Sequence, residues 1–184
     1  MRKLNCFLDL DETLLSSVPA DEMTASLKQK LDAFDYVKMD DQYYVVKRPH
    51  IGKFLDFLFS NFNVSVWTAA SCDYCCYIVK NIILTKPERK IDYLFHSYNC
   101  DISKKIGDGI KDLAILWDKY KLEGYGPANT FIVDDNPEVE RTGYCIQIPE
   151  FNFTDDDASE DRVLLDLMDE LRDKLAGRAD VAAE

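Results

Sequence analysis

No apolar run in this sequence approaches the length that a membrane-spanning helix requires, and Met1-Arg2-Lys3 leads into a short strand-like segment with no signal-peptide cleavage site. Both absences point to a soluble, intracellular protein without a membrane partner. Positive charge is also scarce. The 22 Lys and Arg stand against 34 Asp and Glu, a formal net charge of -12, which argues against direct nucleic-acid binding, where most affinity comes from cations meeting phosphates. An anionic substrate stays compatible, because a few local cations and a metal reverse the field inside one cleft. The six cysteines lack the regular spacing of a disulfide framework, as free thiols in a reducing compartment would. There is no internal repeat, coiled coil or low-complexity tract, and the composition is that of a globular chain. What remains is one domain over about 1–175, with 176–184 aperiodic and read as a mobile tail.

Residues 4–15, LNCFLDLDETLL, form an apolar run that ends by delivering Asp9, Asp11 and Thr13 at alternate positions. A buried strand reads as such a run, and residues two apart on extended chain face one side. Two carboxylates held together are costly unless a cation lies between them, which a metal ion would explain. Residues 16–20 read as a turn and 21–34 as an amphipathic helix with Met23, Leu27, Leu31 and Phe34 on one face, capped at Ala20-Asp21. A β-hairpin follows, turning at Met39-Asp40-Asp41-Gln42. Together they make an insertion over about 16–47.

Beyond it, helices are expected over 51–62, 72–84, 110–120 and 160–175, alternating with strands NVSVWT, DYLFH, NTFIVDD and YCIQIP, and 97–109 reads as a polar loop. Strands separated by helices predict an α/β fold with a parallel sheet and helices on both faces. Ligands of such sheets sit outside the carboxyl ends of the strands, where Asp9, Asp11, Thr68, Asp134 and Asp135 all fall.

The chemistry follows from the residue types. A carboxylate such as Asp9 can attack phosphorus, and Asp11 is a candidate acid and base for the leaving alkoxide and the hydrolytic water. Mg²⁺ suits the carboxylate cradle completed by Asp134 and Asp135, since it prefers oxygen ligands and tolerates few carboxylates. Thr68 can hydrogen-bond a phosphate oxygen, and Lys111 can stabilise charge on the transferring group, with Lys104 and Lys105 as rivals nearby. Arg48 is open between a substrate anion and a structural carboxylate. Cys72, Cys75 and Cys76 read first as small apolar side chains on a helix; zinc would need His50, His96 or Cys100 as a fourth ligand, and a second CxxC is missing. Tyr36, Tyr43 and Tyr44 either cover a core or line a peptide groove.

FLDLDETLL, KRPHIGKFLDFL, SVWTAAS, GIKDL and FIVDDNP, in that order, resemble the motifs of the haloacid dehalogenase superfamily. More narrowly, they resemble the phosphatases of the RNA polymerase II carboxy-terminal domain and the nuclear LIM interactor-interacting factors, over about residues 4–149. The resemblance implies a Rossmann-like fold without a large cap, an Asp9 nucleophile and an Asp11 acid/base, with Thr68 and Lys111 at the phosphoryl group. It further implies Mg²⁺ on Asp9, the Asp11 carbonyl and Asp135 with Asp134 close by, a phosphoserine or phosphothreonine protein or peptide as substrate, and nuclear residence. Two departures stand out: the helix-like 21–34 segment, and Ala70 where many relatives carry a hydroxyl. The rivals are a small-molecule or nucleotide phosphatase on the same scaffold and a catalytically quiet peptide-binding module.

Overall fold

A computed structural model describes residues 3–181. In β1 (Leu4–Leu8), Cys6 and Leu8 enter one apolar cluster and Phe7 another. Burial on both faces is what a near-continuous apolar run gives an interior parallel strand. The insertion comprises β2 (Leu15–Pro19), a 3₁₀ turn (Ala20–Glu22), α1 (Ala25–Leu31), β3 (Tyr36–Met39) and β4 (Tyr43–Lys47). The chain continues through α2 (Ile51–Asn61), β5 (Phe62–Trp67) and α3 (Cys72–Ile78), which widens into a π-helical stretch over Val79–Ile83. Next come β6 (Ile91–Phe95), α4 (Ser97–Ile106), α5 (Ala114–Asp118) and β7 (Thr130–Asp134). Short α6 (Pro137–Glu140) and β8 (Cys145–Gln147) lead to a 3₁₀ turn (Ala158–Glu160) and to α7 (Val163–Val181).

The parallel sheet runs β6-β5-β1-β7-β8. From the central β1 the chain builds outward through β5 and β6, then returns to β1's other edge for β7 and β8. Strand order therefore reverses between β1 and β7, and the crevice outside their carboxyl ends is where ligands of open α/β sheets bind. Helices cover both faces as expected: Phe54, Leu58, Tyr74, Ile78, Leu164 and Leu167 pack on one, Cys100, Leu116 and Val139 on the other.

Several expectations need correction. Residues 16–20 are not a turn; β2 pairs antiparallel with β4, so the insertion carries a three-stranded sheet, β2-β4-β3. The 21–34 segment is shorter than a full helix, because Thr24 rather than Ala20-Asp21 caps α1, accepting a hydrogen bond from the Leu27 amide. Its apolar face is nonetheless the expected one: Met23, Leu27, Leu31 and Phe34 cover Val18, Val46, Phe151 and Phe153. The 97–109 loop is mostly α4, since Cys100 and Ser103 turn a buried face despite the polar composition. Lys111 precedes α5 with a positive φ of 53° instead of sitting in a helical first turn. The 176–184 tail is helical as far as Val181, and 182–184 lie outside the described residues.

Candidate active site

The amide of Asp9 donates to the Val133 carbonyl at 3.0 Å, continuing the β1–β7 ladder just past the end of β1. That bond fixes Asp9 beside Asp134, the last residue of β7. Both are buried, at 6% and 0% exposure. Between them sits the Lys111 ammonium, 2.7 Å from Asp9 Oδ1 and 2.7 Å from Asp134 Oδ2. Lys111 is itself 3% exposed. It is thus the buried cation that the paired carboxylates require, while Lys104 and Lys105 stay exposed on α4. Burial alone would lower the Lys111 pKa, but the charges of Asp9 and Asp134 more than offset it and hold the ammonium above the usual lysine range.

Burial is also the main influence on the carboxyls. It pushes Asp9 up, against the pull of Lys111. It likewise raises Asp134 to about 7, helped by the charge of Asp9 and opposed by Lys111. The second oxygen of Asp134 accepts from the Asn136 amide at 3.0 Å, so both its oxygens are engaged. Asp135 is tied to the first loop by Thr13. The Thr13 hydroxyl donates to Asp135 Oδ1 at 2.7 Å and accepts from the Asp135 amide at 3.1 Å. Thr13 therefore orders the two strand-end loops against each other.

One carboxylate oxygen each from Asp9, Asp134 and Asp135 lie within 4.8 Å of one another. A cluster of hard oxygen donors at that spacing fits a hard divalent cation. The Asp11 carboxylate is not part of this cluster. Its Oδ1 accepts from Tyr74 Oη at 2.5 Å and from Ser17 Oγ at 3.5 Å, which turns the side chain away. Burial first, then the charge of Asp9, lifts the Asp11 carboxyl to about 6, against the lowering effect of the Tyr74 bond. Two carboxyls two residues apart thus have different partners, Lys111 for Asp9 and the Tyr74 and Ser17 hydroxyls for Asp11.

Thr68 stands at the carboxyl end of β5, one strand from Asp9, and is 1% exposed. Its hydroxyl accepts from the Ala70 amide at 3.0 Å, which leaves the hydroxyl proton for another acceptor. Arg48 is not brought to the site. It is 1% exposed, binds Asp161 through Nε and Nη2 at 3.1 and 2.8 Å, and donates Nη1 to the carbonyls of Thr13 and Pro149. Burial with four acceptors makes it a brace under the first loop. Nor do the cysteines assemble a metal centre: Cys75 is buried while Cys72 and Cys76 face outward, and among the described residues no metal-competent cluster includes a Cys or His.

A groove of about 420 Å³ adjoins Asp11, lined by Ser17, Met39, Gln42 and Tyr43 of the insertion and by Ala70, Ser71, Asp73 and Tyr74. Two larger concavities, of about 510 and 620 Å³, lie elsewhere and contain none of the strand-end carboxylates. Of the three hairpin tyrosines, Tyr43 reaches this groove, Tyr44 packs on the insertion core and Tyr36 is 45% exposed. Sequence reasoning missed Tyr74 and Ser17 as partners of Asp11. The one available signal was a tyrosine three residues after Ser71, the cap of α3, which aims its ring back toward the strand ends.

Residues 4–182 match the family described as NIF, NLI interacting factor-like phosphatase. The CTD phosphatase-like protein 355R of invertebrate iridescent virus 6 is 38% identical over 175 residues, covering 91% of this chain and 96% of its own. Its counterpart in invertebrate iridescent virus 3 is 41% identical over 129 residues, covering 66% and 69%. Among solved structures, Fcp1, described as an essential RNA polymerase II CTD phosphatase, matches 82% of this chain with a TM-score of 0.57 at 16% identity. A variant of fission yeast Fcp1 bound to beryllium fluoride matches 91% with a TM-score of 0.56 at 17% identity. At those identities the likeness is one of fold, and this chain spans only 42% and 49% of the two solved chains. The match to the family over nearly the whole chain and the close viral relatives make this protein a member of the NLI interacting factor-like, CTD phosphatase-like family of haloacid dehalogenase-type phosphatases.

Proposed function

We propose that the protein is a Mg²⁺-dependent phosphatase that hydrolyses phosphoserine or phosphothreonine on a protein or peptide through an aspartyl-phosphate on Asp9. The observation that carries this reading is the division of environment between the two carboxyls: Asp9 is locked beside Lys111, while Asp11 is held apart and raised to about 6 at the edge of an open groove.

Asp9 Oδ1 is engaged by Lys111 at 2.7 Å and Oδ2 accepts only a longer bond from Thr13 at 3.4 Å, which leaves Oδ2 as the oxygen to attack phosphorus. Lys111 and the Thr68 hydroxyl stabilise charge on the transferring group. Asp11 protonates the departing seryl or threonyl oxygen, then takes a proton from the water that cleaves the aspartyl-phosphate. Asp9, Asp135 and the Asp11 carbonyl, with Asp134 alongside, would hold Mg²⁺, which would supply the charge neutralisation that a carboxylate needs to approach a phosphate dianion. Kinship with CTD phosphatase-like proteins supports a peptide substrate, and the groove beside Asp11, walled by the insertion, gives an extended chain a place to lie. Nuclear residence is inferred from the family resemblance alone.

The test compares hydrolysis of phosphoserine and phosphothreonine peptides, sugar phosphates and nucleotides, with and without Mg²⁺. Metal-dependent release from peptides at the highest kcat/KM is the expected result. Faster cleavage of sugar or nucleotide phosphates would place the protein with small-molecule phosphatases instead, and metal-independent or absent turnover on every substrate would defeat the enzymatic reading.

A further inference from the structure

We infer that Tyr74 is a positioning residue for the proton transfer: with Ser17 it pins Oδ1 of Asp11 and thereby assigns Oδ2 as the oxygen that carries the catalytic proton. The inference rests on the reading of Asp11 as general acid and base, and adds which of its oxygens acts and what holds it there.

Both hydroxyls converge on the same oxygen, Tyr74 Oη at 2.5 Å and Ser17 Oγ at 3.5 Å, and among the described residues no hydrogen bond reaches Asp11 Oδ2. A neutral carboxyl accepts hydrogen bonds at its carbonyl oxygen and carries its proton on the other. Two donors on Oδ1 therefore localise the proton on Oδ2. The donors come from separate elements, Ser17 from β2 in the insertion sheet and Tyr74 from the first turn of α3, so the carboxyl is clamped between the insertion and the parallel-sheet body. Tyr74 is itself well fixed. It is 8% exposed, and its ring meets that of Tyr43, the first residue of β4, edge to face at 5.7 Å. Tyr43 and Tyr74 both line the groove, so a chain lying there touches the clamp.

The chemistry balances. As the P–O bond to the seryl oxygen breaks, the bonding pair goes to that oxygen, which takes the proton from Oδ2, and Asp11 becomes a carboxylate whose Oδ1 charge the Tyr74 hydroxyl already stabilises. In the second half, water attacks phosphorus, its proton passes to Oδ2, the Asp9 acyl-phosphate opens to carboxylate and inorganic phosphate, and Asp11 is restored as the acid. No further reactant is needed.

A seryl leaving group needs its proton far more than p-nitrophenolate does, so loss of positioning shows as a change in the ratio between the two. General acid catalysis contributes ~10²–10⁴-fold, and a mispositioned acid forfeits part of that. The experiment measures kcat/KM, which reports the steps up to phosphoryl transfer, for a short phosphoserine peptide and for p-nitrophenyl phosphate in the native protein, Tyr74→Phe and Asp11→Asn, with the thermal midpoint of each. Tyr74→Phe keeps the ring that packs on Tyr43 and is expected to lower the peptide-to-aryl ratio of kcat/KM by about 10-fold, with KM for the peptide little changed. Ser17→Ala, whose bond is longer, should move the ratio in the same direction by less. A Tyr74→Phe variant that loses both activities in equal proportion, or neither, overturns the inference. If Asp11→Asn lowers the ratio and Tyr74→Phe does not, only the role of Tyr74 fails. If Asp11→Asn leaves the ratio unchanged, the reading of Asp11 as general acid fails with it.

Discussion

At the scale of single residues, the site depends on burying charge in matched sets. Asp9, Lys111 and Asp134 illustrate one solution, a cation between two carboxylates. Arg48 and Asp161 illustrate another, away from the chemistry: the Asp161 side chain is only 14% exposed, and the guanidinium also satisfies the carbonyls of Thr13 and Pro149. Removing one member of such a pair leaves a stranded charge, at a cost of about 3–5 kcal/mol. Arg48→Met should therefore lower stability by about 3–5 kcal/mol in urea unfolding. A loss under about 1 kcal/mol would mean that the pair behaves as a surface contact. For the Asp11 carboxyl, burial and the neighbouring Asp9 charge raise the value to about 6, and the sign follows from its task. In the proposed mechanism the protonated form is the donor, so kcat/KM for a phosphoserine peptide should fall as pH rises through the Asp11 value, about 6 without metal. A cation on Asp9 stabilises the ionised form of Asp11 and should shift that limb toward lower pH as Mg²⁺ saturates. A descending limb whose position does not move with Mg²⁺ concentration would contradict the assignment.

The carboxylates were legible in the sequence because apolar runs ending in Asp occur twice and strand ends converge in a parallel sheet. The fate of Arg48 was not legible, since its partner Asp161 lies 113 positions away. Tyr74 escaped notice for a similar reason: a tyrosine in a helix reads as core until the strand end it faces is known.

At the scale of elements, the segment between α4 and α5 places Lys111. Its polar composition hid a helix, because only Cys100 and Ser103 of α4 are buried and periodicity with two anchors is faint. Gly107 marks the tight point where α4 ends. A Cβ there would lie 2.8 Å from Asp112 Oδ2, 2.9 Å from Ile115 Cγ2 and 3.0 Å from the Ser103 carbonyl, whereas one on Gly109 meets nothing within 4 Å. Gly107→Ala should cost about 1–3 kcal/mol and reduce kcat/KM by disturbing Lys111, while Gly109→Ala should be nearly silent in both. Equal behaviour of the two variants in thermal melts and kinetics would show that this close approach is immaterial. The insertion teaches a similar lesson. Its apolar face was readable, but β2 was not, since LSSVP has no alternation strong enough to distinguish a strand from a turn until β4 is there to pair with it.

At the scale of the whole molecule, α7 closes the fold. Leu164, Leu167, Met168 and Leu171 are buried in the same cluster as α2 and the sheet. At about 1.5–3 kcal/mol each, four such side chains contribute about 6–12 kcal/mol, as much as the entire stability of an ordinary domain, about 5–15 kcal/mol. A chain ending at Arg162 should therefore not fold, as judged by loss of a cooperative melt; a native-like melt would place α7 outside the folding unit. The parallel sheet, its helices on both faces and the reversal at β1 together bring Asp9, Lys111, Asp134 and Asp135 to one crevice. The central claim is that phosphorus passes through Asp9. Acid-quenched single turnover of a phosphoserine peptide with Mg²⁺, followed by mass mapping of the protein, tests it directly. A hydroxylamine-sensitive phosphoryl group on Asp9, absent in Asp9→Asn, is the result this account requires, and a phosphoryl group on any other residue, or none during turnover, would contradict it.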